Sequence, residues 1–222
     1  MRTQLVIFAL DGVIVDSLRL VAEAQAEVLR VVGVEISPDE LIEDYRGFAF
    51  KDILVKLEER SALPLQASLI GAADTAVEQR IREMRAVDGV RSTLAHLGAP
   101  FDAVSNHERK RTEKILKAAG LDQIFAGRID VVDPANPKSP KELLLQAAAA
   151  ANPGACVVVD TTPAGIAAAR DAGMRAVGFT GGEASYPGLA DRLTEAGAET
   201  VISRMSALPR TLTALGEWSE PG

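Results

Sequence analysis

The sequence predicts an α/β protein: a mostly parallel sheet of about five or six strands with helices on both faces, plus an inserted all-helical segment. Short β-rich runs alternate with helical patterns along the chain. Between the first such run and the second, about 80 residues carry almost no strand signal, far more than an ordinary connection needs. At 222 residues, 47% hydrophobic and 25% charged, the chain has the composition of a soluble globular protein and the length to bury a sizeable core.

Strand-forming runs occupy Gln4 to Ala9, Phe101 to Val104, Ile129 to Val132, Ala155 to Val159, Arg175 to Phe179 and Glu199 to Ile202. Each is short, apolar and separated from the next by a helical pattern, as parallel strands with crossover helices require. Ser139-Pro140-Lys141-Glu142 combines an N-cap hydroxyl, a proline at the first helical position and a capping-box glutamate, so a helix is expected through Leu143, Leu144 and Ala147. Thr162-Pro163 opens another through Ile166 and Arg170, which Gly173 closes. Within the strandless stretch, apolar residues recur at helical spacing in Leu18, Val21, Ala22, Val28 and Leu29, with Gln25 a polar break, then in Ile53, Leu54 and Leu57, and again in Val77, Ile81 and Met84. Pro38 and the Pro64 region punctuate these helices, and the tail 218–222 is expected to fray. The chain therefore divides into an α/β core, residues 1–15 and 98–222, and a helical cap, residues 16–97.

The formal charge is −7, from 24 Lys and Arg against 31 Asp and Glu. Such a surface repels a phosphate backbone, so nucleic acid is not an expected partner. No apolar run approaches the roughly 18 residues that a membrane span needs, so no membrane partner is expected either. The first strand follows Met1 closely without a cleavable apolar segment, and a cytoplasmic location is expected. The single cysteine, Cys156, has no partner within the chain and reads as a small buried residue in a reducing compartment.

The first strand runs into an acidic turn, Phe8-Ala9-Leu10-Asp11-Gly12, followed by Asp16-Ser17. This resembles the first motif of the haloacid dehalogenase (HAD) superfamily, in which a strand ends in Asp-x-Asp-Gly, and in particular the helical-cap subgroup of β-phosphoglucomutase and phosphoglycolate-phosphatase-like hydrolases. The resemblance implies a Rossmann-like core. It also implies that the first acid attacks a phosphoryl group and binds Mg²⁺, while the second protonates the leaving group and then activates the incoming water. Here Asp11 stands at the second position and Ala9 at the first. A methyl group can neither attack phosphorus nor hold a metal.

Three further motifs extend the resemblance. The second, a hydroxyl ending the second strand that holds phosphoryl oxygens with nearby backbone N–H groups, corresponds to Ser105, with Asn106 next to it; either residue could instead cap the helix expected from His107 to Ala118. The third is a phosphate-neutralising lysine. Alignment on Pro140 puts Pro137 at its position and Lys138 one residue later, where Lys138 either reaches the phosphate site by a local shift or sits in a solvated turn; Lys141 is weaker still. The fourth is an acidic pair that helps bind Mg²⁺, and here Asp160 is acidic while Thr161 stands in place of the second acid. Asp160 and the main-chain carbonyl of Asp11 are what remains of a metal site. Mg²⁺ is the family's cofactor, yet its carboxylates are depleted here. The departures at Ala9, Pro137 and Thr161 together favour a naturally degenerate site over a single laboratory replacement.

Other positions read more plainly. Asp16 and Ser17 are expected to cap the helix through Leu18 to Leu29. Arg46, in the turn Arg46-Gly47 between two cap helices, either clamps an anionic group of the ligand or lies on the surface. His96 and His107 read as structural, and Thr180-Gly181-Gly182 as a loop without phosphate-loop character. The reading that fits these departures is a protein of phosphatase or phosphomutase ancestry, impaired in turnover, that binds a small phosphorylated metabolite. The alternatives are an active Mg²⁺-dependent phosphatase in which Asp11 activates water, and a structural or oligomerising protein with a vacant pocket.

Overall fold

The computed structural model describes residues 2–61 and 67–218. The Pro64 region and residues 219–222 of the expected tail lie outside that range. Six parallel strands, β1 (Leu5–Ala9), β2 (Phe101–Ser105), β3 (Ile129–Val131), β4 (Cys156–Asp160), β5 (Arg175–Phe179) and β6 (Thr200–Ile202), form one sheet in the order β3-β2-β1-β4-β5-β6. Each expected strand is present, with its limits moved by a residue at most.

Alternation along the strands divides the apolar residues between two faces. Val6, Phe8, Val157, Val159, Val177 and Phe179 join one core cluster, while Leu5, Ile7, Cys156, Val158 and Ala176 join another. Both faces are covered, so the central strands are apolar throughout; full burial of a side chain such as Ile7 or Phe8 stabilises by about 1.5–3 kcal/mol. Cys156 is free and buried, consistent with a core role.

Between β1 and β2 the described residues form helices α1 (Leu18–Val31), α2 (Pro38–Tyr45), α3 (Phe50–Ser61), α4 (Ser68–Arg80) and α5 (Val90–Ala95). Pro38 is the first residue of α2, whose N-cap Ser37 forms a capping box with Glu40. Helix α1 departs from a one-sided reading of its periodicity. Leu20 and Ala24 pack with the sheet cluster, whereas Ala22, Ala26 and Leu29 pack with Leu41, Ile42, Ile53, Leu54 and Leu57 in a separate cap cluster. It therefore buries two stripes, which is why the sequence pattern lacks a single clean face. The chain returns to the sheet beside its point of departure, where Val15 bridges Ala86 and Asp16 N donates to Arg85 O. The boundary placed at 97 falls after α5, whose Val90 and Leu94 pack in the sheet's cluster.

The remaining helices follow the strands: α6 (Arg109–Ala118), α7 (Pro140–Ala147), α8 (Pro163–Asp171), α9 (Leu189–Glu195) and α10 (Leu208–Trp218). Ser139 and Glu142 make the reciprocal capping box at α7, and the Thr162 hydroxyl accepts from Gly165 N at α8. Such caps satisfy N–H groups that the helix leaves unpaired, each worth about 1 kcal/mol. No helix among the described residues is long and apolar enough to cross a membrane.

Candidate functional site

The strand order places β1 between β2 and β4, at the point where the winding of the sheet reverses, and loops at the carboxyl ends of those strands converge there. The first, second and fourth motifs are thus neighbours in space. Ala9 ends β1 opposite Val104, and the chain then turns so that Gly12 N donates to Val15 O at 2.7 Å. Gly12 has φ +73°, and a Cβ there would stand 2.5 Å from Leu18 Cδ1 and 2.9 Å from Thr161 Cγ2. The turn that carries Asp11 is therefore pressed directly against the fourth motif.

Both carboxylate oxygens of Asp11 are engaged. Ser17 Oγ donates to Oδ1 at 2.5 Å, and His107 Nε2 lies 3.0 Å from Oδ2. Two expectations are corrected here. Ser17 does not cap α1, because its backbone is already in the helical region and its hydroxyl turns to the stronger acceptor, the Asp11 carboxylate. The helix of the second motif does not begin at His107 but at Arg109, which leaves His107 in the loop beside Asp11. Asp16 instead accepts from Glu183 N in the loop after β5. His96 stays on the surface, its Nδ1 on Ser92 O.

Burial pushes the Asp11 carboxyl up, but the charge and hydrogen bond of His107, the Ser17 hydroxyl and the charge of Arg111 carry it below the ordinary carboxylate value. Burial likewise opposes the His107 imidazolium, and the charge and hydrogen bond of Asp11 overcome it, with Arg111 opposing and Asp74 assisting, so His107 titrates above its ordinary value. A depressed carboxylate contributes stability above the unfolded value of about 3.9 and loses it as pH falls; a raised imidazole contributes fully below about 6.5 and loses it as pH rises through the folded value. The pair is therefore most stabilising between about pH 4 and about pH 6.5. His107→Gln is expected to cost about 1–3 kcal/mol in that window and markedly less near pH 9, as read by urea midpoints at both pH values. An equal penalty at the two pH values would show that the contact is not ionic.

Ser105, at the end of β2, is 2% exposed; its hydroxyl pairs with Thr112 Oγ1 at 3.0 Å and accepts from His107 N at 3.1 Å. It positions the loop from below. Asn106 and His107, in contrast, line a cavity of about 620 Å³ together with Asp74 from α4, Glu108, Arg111, Asp133, Pro137 and Lys138. Pro137 and Lys138 both border it, and the Lys138 ammonium rests on Gln146 Oε1. Arg111 pairs with Asp74 at 3.0 Å, yet its Nε is buried with no partner among the described residues. Arg111 was not singled out by sequence, although it falls six residues after Ser105, on the first turn of the helix that the second motif opens.

The fourth motif is arranged differently. Asp160 Oδ1 accepts from Thr162 N at 2.7 Å and from Thr162 Oγ1 at 2.9 Å, while Oδ2 lies where a Cβ on Gly165 would fall. Burial raises the Asp160 carboxyl above its ordinary value, the Thr162 bonds working against that shift. Thr161 Oγ1 and its carbonyl accept from Arg46. The structure thus joins Asp11 with His107, groups Asn106, Pro137 and Lys138 around the cavity, and sets Arg46, Asp160 and Thr161 together on the β4 side. Among the described residues no group of three or more His, Cys, Asp or Glu side chains is placed to hold a metal ion.

Strand order, a helical insertion directly behind β1 and an acidic turn at the sheet's reversal point define the capped Rossmann-like class. The chain belongs to the haloacid dehalogenase-like hydrolases, whose family profile matches residues 6–179. It is 26% identical to the 6-phosphogluconate phosphatase of Escherichia coli K12 over 97% of each chain. The crystal structure of a conserved haloacid dehalogenase-like protein of unknown function from Agrobacterium tumefaciens superposes with a TM-score of 0.90 at 37% identity, covering 96% of this chain and 99% of that one. A HAD family hydrolase from Deinococcus radiodurans, solved with bound phosphate and sodium, gives 0.78 at 27% identity, with 97% and 96% covered.

Proposed function

We propose that this protein binds a small phosphorylated metabolite, of the phosphorylated sugar or polyol class, in the cavity beside His107, and that it hydrolyses phosphate esters poorly or not at all. The observation that carries the reading is a methyl group at position 9 next to an Asp11 carboxylate whose two oxygens are already taken by Ser17 and His107. No acyl phosphate can form on alanine. The cavity's size suits a small ligand. His107, Arg111 and Lys138 supply positive charge along its wall. Asp74, Glu108 and Asp133 suit the hydroxyls of a polyol better than a second anionic group. The relative named 6-phosphogluconate phosphatase and the hydrolase solved with bound phosphate support the phosphate part of that chemistry.

One observation favours a second reading. Asp11 contacts an imidazole that borders the cavity, and such a pair can take a proton from water, giving slow direct hydrolysis without a covalent intermediate. Thermal shift with 6-phosphogluconate, other sugar phosphates and inorganic phosphate, all in chelator, separates the readings. A phosphate ester at about 100 times its Kd should stabilise the fold by about 2.7 kcal/mol, and Arg111→Ala should remove the effect. No shift with any compound points to a vacant scaffold, and strong metal-dependent turnover by the unmodified chain overturns the proposal.

A further inference from the structure

The turn between α2 and α3 brings Arg46 down onto the loop that follows β4. Its Nε donates to the Thr161 carbonyl at 2.7 Å, Nη2 to Thr161 Oγ1 at 2.8 Å and Nη1 to the Ala184 carbonyl at 2.6 Å. The ring of Tyr186 lies 5.7 Å from its guanidinium carbon. Asp160 and Asp16 are the carboxylates whose charge it feels.

Thr161 occupies the position at which the family motif carries its second acid, one of the groups that bring Mg²⁺ to such sites. The residues present do not fit that ion. Position 9 offers no side-chain oxygen, the Asp160 carboxylate is turned onto Thr162, and Thr161 presents both its oxygens to a cationic side chain. A small dication that demands near-octahedral oxygen ligands would meet a fixed positive charge instead. We infer that the Arg46 guanidinium is the resident cation of this site, held on the residue that stands at the motif's second acid, and that it pins the cap to the sheet in the same act.

The local sequence is built for this contact. Gly47 has φ +86°, and a Cβ there would stand 3.3 Å from Thr162 Cβ, so the cap turn packs closely on the β4 loop. Arg192 of α9 makes a second tie, donating to the Glu43 carbonyl at 2.6 Å near the end of α2. A guanidinium suits the position because it keeps its charge when buried and offers several donors in a rigid fork, three of which are used here. Losing carboxylates at positions 9 and 161 lowers the local negative charge to a level that one monovalent cation, facing Asp160 and Asp16, can balance. The inference holds whether or not the cavity takes a phosphate ester.

Mn²⁺ binding, followed by paramagnetic resonance and calorimetry, tests it without reference to turnover. The unmodified chain should bind Mn²⁺ no better than chance surface sites do. Ala9→Asp with Thr161→Asp should remain a weak binder, because Arg46 pairs with the new carboxylate. Adding Arg46→Ala to that pair should tighten Mn²⁺ binding by about 10- to 100-fold, the scale on which groups around a metal tune its affinity. Arg46→Gln in the same background should do likewise, whereas Arg46→Lys should not; if the alanine variant fails to fold by circular dichroism, the glutamine and lysine variants decide. Tight Mn²⁺ binding by the unmodified chain, equal binding by the double variant with Arg46 intact, or no gain on removing the charge would each overturn the inference.

Discussion

Incubated with a phosphate ester and Mg²⁺, the unmodified protein is expected to carry no covalently attached phosphate and to release phosphate about 10⁴- to 10⁶-fold more slowly than a relative with aspartate at the position of Ala9. The magnitude follows from what is missing. Covalent catalysis divides a hard displacement into two easier ones, and without the nucleophile only binding and charge stabilisation remain. Charge stabilisation through a metal is weakened as well, because neither Ala9 nor Thr161 supplies a carboxylate to hold one. On the second reading proposed above, water activation by the Asp11–His107 pair would set the residual rate. Ala9→Asp alone should recover little, since it adds a carboxylate to a site without a matching cation free to screen it. Intact-mass spectrometry during the reaction and phosphate release under matched conditions decide the matter. A phosphorylated chain, or turnover within about 100-fold of the relative, would defeat the expectation.

The parts of this fold that were legible in the sequence are those governed by local rules. The apolar run Leu5 to Phe8 had to be a buried strand, and Ser139-Pro140-Lys141-Glu142 had to open a helix, because each signal is complete within a few residues. Ser105 at the end of β2 was legible for the same reason, since a strand followed by a small hydroxyl and a helix is a local pattern. The pairing of His107 with Asp11 was not. It depends on β2 lying beside β1 and on α6 starting at Arg109, and neither fact is written near His107. Had α6 begun at His107, as expected from the sequence, the imidazole would have been carried into the first turn of the helix. Arg46 was narrowed to two roles, ligand clamp or surface residue, and the structure adds a contact that neither role names: three of its donors go to Thr161 and Ala184, separated from it in sequence by 115 and 138 residues. Contacts over such separations arise from topology, and no periodicity announces them.

Gly12→Ala is expected to destabilise the fold by about 2–5 kcal/mol. Two terms combine. A left-handed backbone costs a non-glycine residue about 1–2 kcal/mol, and forcing atoms into a packed contact costs a further 1–3 kcal/mol or so. The second term is specific here, because the new Cβ would stand 2.5 Å from Leu18 Cδ1 and 2.9 Å from Thr161 Cγ2. Gly33 provides the control: its φ is +81°, and an added Cβ meets nothing within 4 Å, so Gly33→Ala reports the backbone term alone. The difference between the two variants in urea denaturation isolates the pressure of the Asp11 turn against α1 and the fourth motif. That pressure also holds Asp11 between Ser17 and His107, so Gly12→Ala should lose the pH-dependent part of the stability along with the rest. If Gly12→Ala costs no more than Gly33→Ala and keeps that pH dependence, the turn yields to a methyl group, and the tight packing between the first and fourth motifs is not what fixes the geometry of the Asp11–His107 pair.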